Sequence, residues 1–137
     1  MTLGRKKNTI ARAARHPNLL IAHDRYVLDQ GFFDGFERFG YDFDLCAIHQ
    51  TYEDGEPYPS YCALNATGLV WAPTVHCENY NLLHANQYVN GGLMVFKTHT
   101  LRANQFNDLL YWNQAEDVEV SRVFIDAGMP PRMNYLS

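Results

Sequence analysis

Hydrophobic and polar positions along this chain follow two different periods. A spacing of three to four residues predicts helices over residues 5–15, 31–39, 98–106 and from 116 onwards. Short apolar runs predict strands at residues 19–22, 43–48, 68–72 and 93–96. The polar stretch at 49–61, which is rich in Pro, Gly and Tyr, is predicted to be a loop. This pattern favours a single α/β domain.

The apolar run at residues 19–22 is continuous, which predicts a buried strand in a sheet that is covered on both faces. It ends directly in His23, Asp24 and Arg25. Open α/β sheets bind ligands beyond the carboxyl ends of their strands, so this triplet is a candidate ligand site. A surface turn with a local salt bridge is the alternative interpretation.

The last predicted helix begins with a pair of carboxylates, Glu116 and Asp117, after an aromatic-rich segment that contains Trp112. The helical spacing that follows puts both acids in the first turn, where a rigid element can hold them in a cleft. Acids are also common in first turns because they complement the exposed N–H groups and the macrodipole. On spacing alone, a structural role for the pair is favoured over a catalytic one.

A glycine-containing turn, formed by Asn90, Gly91 and Gly92, precedes the strand predicted at residues 93–96. Glycines let the backbone approach a ligand closely, which makes this turn a candidate binding element. Taken alone, a Gly pair more often marks a tight turn with no further role.

Composition excludes several classes of protein. The chain has 137 residues, 47% of them hydrophobic, and a net charge of −4, so it can bury a core and is unlike a disordered protein. Its opening segment carries five basic residues and no acid, which favours a local anion site such as one for a diphosphate. Nucleic acid is not an expected partner, because the overall charge is acidic. Three cysteines without CxxC spacing indicate neither a disulfide framework nor a zinc site.

The chain contains no apolar run of membrane-spanning length and no signal-peptide core after its basic start. A cytoplasmic protein without a transmembrane segment is therefore expected.

The order of these features resembles the nucleotide-sugar glycosyltransferases of the GT-A fold, in particular the large inverting family 2. In that family, a helix with a basic-Asn pair precedes a hydrophobic strand that ends in the DxD metal motif. Lys7 and Asn8, followed by residues 19–24, fit this arrangement, and residues 112–117 (WNQAED) fit the family's acidic helix start. The resemblance extends from Gly4 to about Arg132.

The resemblance implies a GT-A-like mixed sheet flanked by helices, in a partial domain (residues 1–137) that lacks the family's N-terminal βαβ unit. It implies inverting transfer of a sugar from a UDP- or GDP-sugar to a glycan or another hydroxyl acceptor. One alternative is a truncated, non-catalytic domain that binds a nucleotide, a glycan or a partner protein. The other is a nucleotidyltransferase or sugar-phosphate hydrolase. A homo-oligomer or a missing partner segment would complete the truncated fold.

The resemblance also implies roles for individual residues. Asp117 and Glu116 would be catalytic, with Asp117 as the base, although the choice between the two stays open. The donor nucleotide would be bound by Lys7, Asn8, Asp24 and Arg25. The sugar and acceptor would contact Asn90, Gly91, Gly92 and Trp112. The metal ion, Mn²⁺ or Mg²⁺, would be held by Asp24 and His23. His23 and Arg25 replace the two outer residues of the DxD motif, so Asp24 is its only carboxylate.

Overall fold

The computed structural model describes residues 2–63, 75–76, 87–111 and 114–137. Within these ranges the chain is a mixed α/β structure whose helices are α1 (Leu3–Ala13), α2 (Phe32–Phe39), α3 (Thr98–Ala103) and α4 (Glu116–Asp126). The strands are β1 (Asn18–Ala22), β2 (Leu45–Ile48), β3 (Gln50–Thr51), β4 (Pro57–Tyr58), β5 (Tyr61–Ala63), β6 (Val75–His76), β7 (Gln87–Val89), β8 (Leu93–Lys97) and β9 (Arg132–Asn134). The strand predicted at 68–72 lies outside the described residues, as does Trp112.

The largest sheet in the described part of the chain has the strand order β1-β8-β2-β9. Strand β8 runs antiparallel to both of its neighbours, whereas β9 is parallel to β2. The sheet is therefore mixed, and it brings together strands that are distant in the sequence. In the register of β1 and β8, Ala22 lies opposite Leu93.

This sheet has a hydrophobic core on each face, as strands with alternating side-chain directions produce. On β8, Met94 and Phe96 belong to a core with helices α1, α3 and α4, and Leu93 and Val95 belong to a second core with helix α2. Strand β2 alternates in the same way between the two cores. The prediction of a sheet covered on both faces is confirmed.

The prediction that β1 is a buried strand is only partly correct. Within the described residues β1 lies at an edge of the sheet and pairs with β8. Of its residues, Ile21 is buried, Leu19 and Leu20 are half-buried and Ala22 is exposed. A continuous apolar run indicates that both faces pack against other groups, but it does not distinguish an edge strand from a central one.

The loop predicted at residues 49–61 contains a short hairpin that the sequence did not indicate. Strands β3 and β4 pair in a short antiparallel hairpin, in which Gln50 lies opposite Tyr58. Its turn is closed by a hydrogen bond of 2.8 Å from the Tyr52 N–H to the Glu56 carbonyl, and Gly55 takes a φ of +87°. The glycine permits this left-handed conformation. The loop prediction is correct for most of this stretch but missed the two-residue strands, because a polar, proline-containing stretch masks such short strands.

No helix in the described ranges is both long and apolar enough to cross a bilayer.

Candidate active site

The pairing of β1 with β8 carries the triplet at residues 23–25 to the glycine-containing turn. One residue beyond the Ala22–Leu93 pair, the His23 N–H donates a hydrogen bond of 2.8 Å to the Gly92 carbonyl. The Tyr26 N–H then donates to the His23 carbonyl at 3.2 Å, which closes a turn over Asp24 and Arg25. Two segments that are almost 70 residues apart in the sequence are thus joined by the strand register.

Helix α4 begins against the same turn. A carboxylate oxygen of Asp117 accepts a hydrogen bond of 2.9 Å from the Gly91 N–H. One turn further along the helix, the buried Ser121 hydroxyl accepts a bond of 3.0 Å from the Val89 N–H. A Cβ added to Gly91 would lie 2.9 Å from the Cβ of Asp117, so glycine is needed here for close approach. The structure thereby fixes Asp117 beside residues 90–92.

The carboxylates of Glu116 and Asp117 have different partners. Its carboxylate lies 3.2 Å from the Lys7 ammonium, and both side chains are buried. The same ammonium donates to the Gly91 carbonyl at 3.2 Å. A buried carboxylate requires such a partner, since burying a lone charge is very costly. The pair ties α1, the glycine-containing turn and the start of α4 together.

Asn8, the other half of the basic-Asn pair, is also fully buried. Its amide nitrogen donates to the Phe106 carbonyl at 2.8 Å and to the Asp108 carboxylate at 2.7 Å. Its amide oxygen accepts from the Phe106 N–H at 3.0 Å. These bonds occupy the side chain within the protein, so Asn8 braces the segment after α3. Its contact with the donor nucleotide stays a prediction.

A cleft of about 310 Å³ opens where these elements meet, and we call it the carboxylate cleft. Its walls are formed by Leu3, His23, Arg25, Tyr88, Asn90, Gly91, Gly92, Ala115, Glu116, Asp117 and Val118. The exposed guanidinium of Arg25 and the half-buried carboxylate of Asp117 thus border the same space. A cationic group and a carboxylate in one cleft of this size suit a small, charged ligand.

Burial lowers the pKa of His23 below its ordinary value of 6.5, and the nearby positive charges of Lys7 and Arg25 lower it further. The carboxylates of Glu116 and Asp24 oppose this shift. The imidazole is therefore neutral at neutral pH and can accept a hydrogen bond or bind a metal ion through a ring nitrogen.

Ala115, immediately before α4, has left-handed backbone angles of φ 55° and ψ 48°. This conformation costs an alanine roughly 1–2 kcal/mol, and such strained residues cluster at functional sites. Ala115 lines the carboxylate cleft, and its backbone turns the chain sharply into the helix. Nothing in the sequence could have indicated it, since alanine has no preference for this conformation.

The structure brings together most of the predicted site residues, from three separate parts of the sequence. His23, Arg25, Glu116 and Asp117 line the carboxylate cleft together with Asn90, Gly91 and Gly92. Lys7 does not line the cleft, but its ammonium pairs with Glu116, which does. Asp24 is exposed and is not part of the cleft wall.

Sequence reasoning overlooked Tyr88, which is buried in the cleft wall. Burial is the main cause that raises its pKa above the ordinary value, and the neighbouring Cys62 and Asp117 raise it further. Its position two residues before Asn90 was the available signal.

The two predicted metal ligands would leave most of an ion's coordination to other groups. Asp24 and His23 are adjacent donors, but the described ranges contain no cluster of three or more His, Cys, Asp or Glu side chains that could hold a metal. Because Mg²⁺ takes six ligands in near-octahedral geometry, two donors leave most positions to a substrate or to water.

No protein-family model, curated protein or solved structure matches this chain. Its function must therefore be inferred from the chemistry of the cleft.

Proposed function

We propose that this chain is a GT-A-like glycosyltransferase that transfers a sugar, with inversion, from a UDP- or GDP-sugar to a hydroxyl acceptor. The observation that carries the proposal is that Arg25, Asp117 and the glycine-containing turn border one cleft. A transferase of this kind needs a cation near the leaving diphosphate and a base near the acceptor. The described cleft contains one group of each kind.

Asp117 is the proposed general base. A carboxylate is ionised at neutral pH and can accept the proton of an acceptor hydroxyl as its oxygen attacks the sugar. The new bond forms on the face of the anomeric carbon opposite the diphosphate, and the bond to the diphosphate oxygen breaks with both electrons. The hydrogen bond from the Gly91 N–H to Asp117 holds this carboxylate in one orientation, which favours a productive approach of the acceptor.

Glu116 is a poor candidate for the base, because its charge is already paired with Lys7 in a buried environment. In the proposed mechanism it positions the glycine-containing turn. Lys7 has the same task, since its ammonium also holds the Gly91 carbonyl.

Arg25 is the proposed partner of the leaving diphosphate. A guanidinium can pair with two phosphate oxygens at once and stabilises the negative charge that grows as the bond breaks. A divalent cation stays a prediction. If Mn²⁺ or Mg²⁺ takes part, Asp24 and His23 would hold it, and it would supply additional charge neutralisation at the diphosphate.

The alternative, a domain that binds a nucleotide or glycan without transfer, is favoured by one observation. Asp24, the only carboxylate left in the DxD-like triplet, is exposed and does not contribute to the cleft wall.

The proposal is tested by thermal denaturation of the purified chain with UDP, GDP and their sugar conjugates, each with and without Mn²⁺. We expect a rise of several degrees with one nucleotide, because a ligand that binds only the folded state stabilises it. Arg25→Ala should abolish the shift, whereas Arg5→Ala, at an exposed position of α1, should retain it. Asp24→Ala reports whether a carboxylate there supports binding in the presence of metal.

Release of UDP or GDP then separates the candidate functions. A transferase releases the nucleotide only when an acceptor is present, a hydrolase releases it without one, and a binding domain does not release it at all. The absence of any nucleotide-dependent shift in a folded chain would contradict the proposal.

A further inference from the structure

The hairpin formed by β3 and β4 carries two tyrosines into close contact. The rings of Tyr52 and Tyr58 have centroids 5.0 Å apart and cross at 72°. Tyr26, just after the triplet at residues 23–25, meets Tyr58 at 6.5 Å and 87°. Edge-to-face packing of this kind fixes ring orientations. Three rings from two segments therefore form one aromatic corner.

This corner borders a second cleft of about 640 Å³, which we call the tyrosine cleft. Its walls are formed by Arg25, Tyr26, Val27, Thr51, Tyr52, Glu53 and Tyr58. Its volume lies within the range usual for small-molecule sites. Tyr52 is 52% exposed, so a large part of this side chain is open to a ligand.

The tyrosine cleft and the carboxylate cleft are neighbours. Arg25 belongs to the walls of both. The Tyr26 hydroxyl packs on the glycine-containing turn so closely that a Cβ added to Gly92 would lie 2.5 Å from it. A ligand that extends from the tyrosine cleft past Arg25 would therefore reach the space beside Asp117.

We propose that the tyrosine cleft binds a saccharide acceptor, with pyranose rings packed on Tyr52 and Tyr58 and the reactive hydroxyl directed into the carboxylate cleft. Pyranose rings have apolar C–H faces and a rim of hydroxyls that both donate and accept hydrogen bonds. Tyrosine rings suit the faces, because they are amphipathic and rigid. Arg25 donates, the Glu53 carboxylate accepts, and the Thr51 hydroxyl does both, which suits the rim.

The polar groups favour a neutral saccharide over a nucleotide in this cleft. Arg25 would attract a phosphate group, but Glu53 in the same wall would repel it, whereas a neutral saccharide can form hydrogen bonds to both. The acceptor role rests on the proposed function, whereas saccharide binding in the cleft does not depend on it. A nucleobase stacked on the same tyrosines is the competing occupant, and the experiment distinguishes the two.

The test is a calorimetric titration of the full chain with maltose, cellobiose and N,N′-diacetylchitobiose, without a donor. We expect one of these to bind, and Tyr52→Ala to weaken its affinity by about tenfold or more, since an aromatic contact surface is lost. Tyr52→Phe keeps the ring and should bind within about twofold of the wild type. The control is Tyr41→Ala, a tyrosine of similar exposure that lines a separate groove beside α2.

Two outcomes would overturn the inference: no saccharide binds to the folded chain, or Tyr52→Ala binds as tightly as the wild type. Weakened UDP or GDP binding in Tyr52→Ala, with no effect on saccharides, would also overturn it in favour of a nucleobase.

Failure of the proposed function gives a different pattern. The chain could bind saccharides in a way that depends on Tyr52, yet neither bind nor turn over any sugar nucleotide. That result would support the saccharide site and contradict the proposed transferase function. If Tyr52→Ala leaves transfer activity unchanged, the saccharide site is contradicted and the transferase function is supported.

Discussion

Glu116 and Asp117 are adjacent carboxylates in the first turn of one helix, yet their surroundings differ in kind. Glu116 is buried and lies 3.2 Å from the Lys7 ammonium. Asp117 is half-buried and accepts a hydrogen bond from the Gly91 N–H in the wall of an open cleft. A rotation of about 100° per residue separates the two side chains.

Glu116 and Asp117 therefore have two separate roles. The paired charge of Glu116 fixes the helix start to α1 and to the glycine-containing turn. The carboxylate of Asp117 is left facing the space that a ligand can enter. We therefore expect substitutions around Glu116 to reduce stability, and substitutions around Asp117 to reduce activity.

The largest expected loss of stability follows from Lys7→Met. The substitution leaves Glu116 as an uncompensated buried carboxylate, which typically costs about 3–5 kcal/mol of unfolding free energy. Urea denaturation measures the change, and Lys6→Met at the exposed neighbouring position is the control. Adding Glu116→Gln to Lys7→Met should restore part of the loss. Equal stability of Lys7→Met and Lys6→Met would show that the pair is unimportant.

Asn8→Ala is expected to cost about 2–3 kcal/mol, because it removes hydrogen bonds and leaves the buried backbone groups of Phe106 unpaired. Since the Asn8 side chain is buried and bonded to Phe106 and Asp108, nucleotide affinity at a temperature where the variant is folded should stay unchanged. The control is Thr9→Ala, whose exposed hydroxyl bonds to the Arg5 carbonyl. A selective loss of nucleotide affinity in Asn8→Ala would instead restore the role that the family resemblance implied.

Gly91→Ala tests the contact between the glycine-containing turn and Asp117. The added methyl group would approach the Asp117 Cβ to 2.9 Å, and relieving this overlap should cost about 1–3 kcal/mol. Activity should fall as well, because the carboxylate must move. Gly31→Ala is the control, since its Cβ would meet only the Asp29 carboxylate at 3.5 Å. Matched stability and activity in the two variants would contradict the close packing.

The smallest expected effect concerns His23, whose pKa is lowered in the folded protein. As the pH drops below 6.5, His23 becomes protonated in the unfolded chain before it does so in the folded chain. The free energy of unfolding therefore falls as the pH drops through 6.5 towards the lower folded pKa. Melting temperatures between pH 7.5 and 5.5 should therefore decrease more in the wild type than in His23→Gln. An NMR titration of the imidazole that gives a pKa above 6.5 would contradict this.

The sequence was sufficient for the parts of the fold that depend on periodicity. The spacing of apolar residues predicted the helices and the strands at 19–22 and 93–96, and the acidic helix start was found at Glu116. It could not predict the burial of Lys7 and Asn8. Their partners, Glu116 and Phe106, are about 100 residues away, and only the packing of α1 against later elements brings them together.

The candidate site was predicted in its residue types but not in its arrangement. Asp24 and Arg25 are adjacent in the sequence, yet only Arg25 lines the cleft, because the turn closed by Tyr26 directs them differently. The strained backbone of Ala115 and the tyrosine cleft depend on tertiary contacts that no local pattern encodes.

The most direct test of the account compares transfer rates in Asp117→Asn and Glu116→Gln, using one donor and acceptor pair under conditions where both variants are folded. We predict that Asp117→Asn lowers kcat by about 10²–10⁴-fold, as loss of a general base does. Its melting temperature should fall as well, because the two Asp117 oxygens accept from the Gly91 and Val118 N–H groups and an amide can keep only one of these bonds. Glu116→Gln should lower the melting temperature while kcat changes by less than about tenfold. If Glu116→Gln abolishes transfer and Asp117→Asn retains it, the assignment of the two carboxylates is wrong.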